Sequence, residues 1–220
     1  MTHKVELLSH WGNDNMIADV ARVSYGKEAS NYTEEQNAKL ISYLWKHGHT
    51  SPFRHPHLQF RVKCSIVVER QLFKHTVGVS TNSISGRYVD FSDEYHLFKE
   101  REWRKQSTSS KQGSEGLTDA QKLPTAIQNE TVEHCIKSYE RLISLGVSKE
   151  QARFVLPMCL MTEFIWTGSL QAFLHMCALR LKPDAQQETR EVVQDMFNLL
   201  KNLEGNPFEH TLNLMNFYDS

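Results

Sequence analysis

From Leu58 to Val68 the chain alternates with period two. Leu58, Phe60, Val62, Cys64, Ile66 and Val68 fall on one side, and Gln59, Arg61, Lys63 and Ser65 on the other. A helix brings a side chain back to the same face every three or four residues, so this pattern predicts a strand with one buried and one polar face. The stretch from Glu69 to His75 then reads as a short helix that carries the chain off the strand end.

Helical patterns fill much of the rest. Thr33-Glu34-Glu35-Gln36 is a capping box, and Leu40, Ile41, Leu44 and Trp45 behind it mark one face of a helix that stops near Gly48. A long helix is expected over residues 125–145, with Ile127, Val132, Ile136, Tyr139 and Leu142 on its apolar face. Ser148 caps a short helix ending near Pro157. Residues 158–167 are apolar and partly β-branched, which suits a strand or a buried connector. Helices over 169–181 and 185–203 are split by Pro183. The Ser- and Gly-rich residues 106–116 read as a flexible surface loop rather than a domain linker. The expectation is a single domain spanning residues 1–220, of mixed α/β or α+β class, with helices predominating.

Composition narrows the function. A net charge of -1 gives no global electrostatic case for nucleic acid or a membrane surface. No apolar run reaches the roughly 20 residues of a membrane span, and Met1-Thr2-His3-Lys4 does not open a signal peptide. Cys64, Cys135, Cys159 and Cys177 lie far apart in apolar surroundings, as reduced thiols of a cytoplasmic protein do. His47, His49, His55 and His57 are dense but lack the spacing of a zinc site, so no metal is expected.

The chemistry concentrates between Gln71 and Tyr88. Lys74, His75, Thr76, Gly78, Asn82, Ser83, Ser85, Gly86 and Arg87 give cations, an imidazole, hydroxyls and glycines in one short stretch. Arginine and lysine suit phosphate, and glycine lets backbone N–H groups come close to a ligand. A polar helix-loop with solvated charges reads equally well from residue types alone. Arg87 and Arg153 are the strongest phosphate or carboxylate candidates, against a surface ion pair. Arg180, between Leu179 and Leu181 at the end of an apolar helix, calls for a partner.

This stretch resembles the signature of the flavin-dependent thymidylate synthases, an Arg-His-Arg triplet followed by a spaced Ser-x-Arg-Tyr. Gln71, Lys74-His75 and Ser85-Gly86-Arg87-Tyr88 carry it here. The likeness extends through Ala21-Arg22-Val23-Ser24-Tyr25, His49-Thr50-Ser51-Pro52-Phe53, Ala152-Arg153-Phe154-Val155-Leu156-Pro157 and Leu179-Arg180-Leu181. It implies an antiparallel sheet packed with long helices, in a homotetramer whose sites draw on more than one subunit. It also implies reductive methylation of dUMP to dTMP without an enzyme nucleophile. Methylenetetrahydrofolate would give the carbon, FAD the hydride and NADPH the reducing power.

By the same resemblance Gln71, Ser85, Gly86, Arg87, Glu150 and Arg153 hold the nucleotide. Arg180 binds the uracil carbonyl edge. His49 positions water or folate near the flavin, and Ser24, Ser51, Lys74, His75, Thr76, Ser83 and His175 face the cofactor. The chain departs from the pattern at several places, with Lys74 for the first arginine of the triplet, Ser51 for a threonine and His175 for an asparagine. Thr76 stands for the second arginine of the triplet, Ser83 and Arg54 stand for glutamates, and one extra residue lies between Lys74 and Ser85. Two other readings follow: an enzyme that leaves a hydroxymethyl group on dUMP or dCMP, and a non-catalytic FAD- or nucleotide-binding relative.

Overall fold

A computed structural model describes residues 3–89 and 94–215. In chain order the elements are β1 (Lys4–Trp11), α1 (Asp14–Arg22), α2 (Glu34–Lys46), β2 (His57–Ser65), α3 (Ile66–Leu72), β3 (Val79–Ser83), β4 (Arg104–Gln106), β5 (Ser114–Leu117), α4 (Lys122–Ser144), α5 (Lys149–Ala152), β6 (Met161–Ser169), α6 (Leu170–Arg180), α7 (Gln187–Lys201) and α8 (Glu209–Asn213). Short 3-10 turns lie at Val23–Tyr25, Ala29–Asn31, Ser51–Arg54 and Arg153–Val155.

Four strands form a sheet in the order β1-β2-β6-β3, and each neighbouring pair is antiparallel. The period-two pattern sets its two faces. Leu58, Phe60, Val62 and Cys64 of β2 are almost fully buried, as are Phe164 and Trp166 opposite them on β6. α6 and α7 cover this face: the Phe173 ring meets Phe60 and Trp166 edge-on at 5.1 and 5.2 Å, and Val192, Val193 and Met196 close the core. On the other face, cross-strand polar pairs replace packing. Gln59 donates to the Thr167 hydroxyl at 2.9 Å, and Arg61 pairs with Glu163 at 3.3 Å.

The strand ends earlier than the alternation suggests. β2 stops at Ser65, and Ile66 and Val68 belong to α3, not to the strand. The Ile66 N–H bonds the Leu160 carbonyl and the Val67 N–H the Met158 carbonyl, so the backbone turns there. Val68 and Leu72, one helical turn apart, are buried together, a spacing that period two and helical period share at its start. The short helix expected to run to His75 therefore ends at Leu72. The 106–116 stretch is not an unstructured loop: its two ends enter β4 and β5, which pair as a hairpin. Residues 158–167 resolve as the approach to β6 and most of that strand, at the centre of the sheet.

Gly168 ties this sheet to the chain that follows α3. A Cβ there would come 2.6 Å from Val79 Cγ1 and 2.8 Å from the Gly78 carbonyl, which also accepts from the Ser169 N–H at 3.0 Å. Because the obstacle includes backbone, Gly168→Ala is expected to cost about 1–3 kcal/mol. Thermal unfolding against wild type checks it, and an unchanged midpoint would contradict the close approach.

Candidate active site

α3 delivers Gln71, and α6 delivers Arg180. Ser169 caps α6 by accepting the Ala172 N–H at 3.3 Å, and the buried Phe173, Leu174, Met176 and Cys177 seat the helix on the sheet. That seating fixes Arg180 in the last turn. Its Nε donates to His75 Nε2 at 3.0 Å, and its Nη2 donates to the Gln71 carbonyl at 3.3 Å. A buried cation at the end of an apolar helix was expected to need a partner. Arg180 is only half-buried, and its partners are an imidazole and a carbonyl rather than a carboxylate.

Guanidinium only donates, so His75 Nε2 must carry a lone pair and the ring is neutral with its proton on Nδ1. Burial, then the charge of Arg180, then His175 hold the His75 pKa down to about 4. The His75 and His175 rings lie 6.4 Å apart. Beside them is a cleft of about 290 Å³ walled by Arg54, Lys74, His75, Thr76, Gln171 and His175, with Val77 and Ala172 supplying apolar surface.

A second group gathers past the far end of β3. Arg87 Nε lies 3.5 Å from Glu150 Oε2, and Arg153 Nε donates to the Glu150 carbonyl at 3.3 Å. Ser85 Oγ accepts the Arg87 N–H at 3.3 Å, and Gly86 between them is buried. Arg87 and Glu150 are more than half exposed, so their pairing adds little stability and leaves the guanidinium accessible. Ser83, at the end of β3, donates to Glu69 Oε1 at 3.0 Å, and burial raises the Glu69 pKa against that bond. The five residues of β3 stand between the two groups, a span of roughly 17 Å. The two groups are thus separate along the chain, and the Ser83–Glu69 bond ties the end of β3 back to α3, the helix that carries Gln71.

The remaining candidates lie apart from both. His49 is exposed, with its ring 6.1 Å from Tyr43. Ser51 opens the 3-10 turn that ends at Arg54, and only Arg54 of that turn lines the cleft. Ser24 sits in an exposed turn after α1, behind Arg22, which lies 3.5 Å over the Tyr32 ring. Cys64 and Cys177 are buried, and burial pushes both thiols up to about 12, outside the range of a nucleophile at neutral pH.

Sequence reasoning missed the residues that grip the Gln71 side chain. Thr189 Oγ donates to Gln71 Oε1 at 3.0 Å, Gln71 Nε2 donates to Gln186 Oε1, and Glu188 and Arg104 lie behind them. The one signal was the polar run from Gln186 to Arg190 just after Pro183, which reads simply as a helix start.

A half-buried arginine on a neutral histidine, a lysine-walled cleft and a separate arginine pair have the chemistry to take an anionic small molecule. The comparisons sharpen this. Residues 6–204 match the family described as thymidylate synthase complementing protein. A flavin-dependent thymidylate synthase of Thermus thermophilus is 39% identical over 198 residues, covering 90% of this chain and 71% of that one. One of Kosmotoga olearia is 37% identical over 199 residues, covering 90% and 84%. The chain belongs to the flavin-dependent thymidylate synthase family. Among solved structures, a UMP/dUMP methylase from Streptomyces cacaoi bound with 5-Br dUMP superposes with a TM-score of 0.87 at 25% identity, over 98% of this chain and 95% of that one. Among the described residues, no helix is long and apolar enough to cross a membrane.

Proposed function

We propose that this chain is a cytoplasmic flavin-dependent thymidylate synthase that methylates dUMP to dTMP, with methylenetetrahydrofolate as carbon donor and NADPH as reductant. The observation that carries the reading is Arg180, held by the Gln71 carbonyl and by neutral His75, which itself walls the cleft beside Lys74. The cleft's volume is near the lower limit for a ligand pocket, so one chain has room for a ring system rather than a whole dinucleotide. Its mixture of cation, imidazole, hydroxyl and apolar wall fits a flavin ring, and FAD, once bound and reduced, supplies the hydride.

Lys74, Thr76 and His175 would hold that ring; Ser51, Ser83 and Ser24 lie outside the cleft in one copy, and would reach the cofactor from another copy, Ser24 at the adenosine part. His49 would position water or folate. Ser85, Gly86, Arg87 and Arg153, with Glu150, would take the nucleotide phosphate and sugar, and Gln71 and Arg180 the pyrimidine. A fixed guanidinium at the pyrimidine carbonyl stabilises negative charge that develops there and needs no reorganisation to do so. His75 stays neutral and aims Arg180 without competing for the negative charge. We read the two groups as half-sites of a homotetramer, in which one copy supplies the Gln71–Arg180 side and another the Ser85–Arg87 side.

The test is anaerobic turnover with FAD, NADPH, methylenetetrahydrofolate and dUMP, with UMP in parallel, followed by mass analysis of the nucleotide. The expected product is dUMP heavier by one methylene. A hydroxymethyl product would overturn the reading and move attention to Thr76, Ser83 and Arg54. Tight binding of FAD and dUMP without product would leave a binding protein.

A further inference from the structure

We infer that Arg104, Glu188 and Gln186 are positioning residues that set which end of the Gln71 carboxamide faces the nucleotide. This rests on the proposed placement of Gln71 at the substrate. A carboxamide has a donor end and an acceptor end of nearly equal shape, so packing alone does not choose between its two orientations. Something with fixed hydrogen-bonding polarity has to choose.

The chain of bonds supplies it. Arg104 Nη2 donates to Glu188 Oε1 at 2.5 Å, and Gln186 Nε2 donates to Glu188 Oε2 at 2.9 Å. Arg104 can only donate, and an ionised Glu188 can only accept. Gln186 must therefore turn its NH2 to Glu188 and its oxygen to Gln71. Gln71 must then turn its NH2 to Gln186, which leaves its oxygen to accept from Thr189 at 3.0 Å. Thr189 could donate or accept, so it follows the polarity and does not set it. One Gln71 N–H is committed to Gln186; the second is left for a ligand.

Glu188 meets the requirement of being ionised. Burial works against its charge, but the bonds from Arg104 and Gln186 outweigh this and lower its pKa. Its side chain is 8% exposed and that of Arg104 20%, so the pair is largely buried. The guanidinium is aimed by a further bond from Arg104 Nε to Ser114 Oγ at 2.9 Å across the β4–β5 hairpin. The stretch that reads as a flexible loop thus holds the starting point of the relay.

The relay makes an unusual demand that mutagenesis can read. Glu188→Gln changes one oxygen to nitrogen. Arg104 still requires the oxygen of the new amide, so the amide NH2 must face Gln186. Gln186 then flips, and Gln71 flips with it, placing a carbonyl where the nucleotide expects an N–H. Adding Gln186→Glu restores the order, because a carboxylate at 186 accepts both from the amide at 188 and from Gln71.

The experiment compares wild type, Glu188→Gln and the double variant for KM of dUMP, kcat, bound FAD and thermal midpoint. Glu188→Gln is expected to raise KM roughly tenfold, the scale of one lost hydrogen bond, with kcat within about twofold and FAD retained. The double variant is expected to recover most of the wild-type KM. Wild-type turnover with an unchanged KM in Glu188→Gln would overturn the relay and leave the proposed activity standing. A loss shared by FAD retention and thermal midpoint, and not recovered in the double variant, would make the network merely structural. Absence of wild-type turnover on dUMP would overturn both readings.

Discussion

Replacing Arg180 by alanine is expected to lower kcat on dUMP roughly a hundredfold to a thousandfold, the usual scale for removing a preorganised charge from a developing anion. The magnitude follows from how the side chain is held. Two donated bonds, to His75 Nε2 and to the Gln71 carbonyl, secure one edge of the guanidinium, and Nη1 has no hydrogen bond among the described residues. Arg180→Lys keeps the charge but cannot make both bonds from one ammonium, so it should recover only part of the rate. A second readout is independent of turnover. The charge of Arg180 is one cause of the depressed His75 pKa, after burial, so Arg180→Ala should raise that pKa from about 4. NMR titration of the ring would show it. The sign for stability follows: His75 is neutral in the fold, and its contribution is present above its ordinary pKa of 6.5 and lost as pH falls toward 4. A near-normal kcat in Arg180→Ala would sink the role given to it.

The faces of the sheet were legible in sequence because burial on one side leaves a period-two record. Leu58, Phe60, Val62 and Cys64 are written that way and lie that way. The end of the strand was not legible. Ile66 and Val68 continue the alternation, yet the chain turns into a helix where the Ile66 and Val67 N–H groups bond the Leu160 and Met158 carbonyls. Those partners lie far along the chain, where local pattern says nothing. β1 and β3 went unread for another reason. β3 is an edge strand whose Ser80, Thr81, Asn82 and Ser83 are exposed, and β1 is at the other edge with its residues exposed or half-exposed. Edge strands with little burial leave little alternation behind. For the site, residue chemistry picked out Arg87, Arg153 and Arg180. It could not pair Arg87 with Glu150, or find Arg104 and Glu188, because those contacts join segments that only the fold brings together.

Mixing two inactive proteins is expected to restore activity. Arg180→Ala damages the half-site at the ends of α3 and α6, and Arg87→Ala damages the half-site beyond β3. If one copy gives only one of the two groups to any one site, as proposed, neither variant can repair itself. If complete sites form between copies, as proposed, a tetramer containing both variants pairs an intact Gln71–Arg180 side with an intact Ser85–Arg87 side at some of its sites. Random reassembly of equal amounts puts two intact halves together at about one site in four, because each half is intact with even odds. Activity should therefore rise from near zero to about a quarter of wild type after the mixture is dissociated and reassembled. Simple mixing without subunit exchange should give none of that gain. A reassembled mixture as inactive as its parents would mean that each copy builds its own site, and that the two arginine groups serve different ligands.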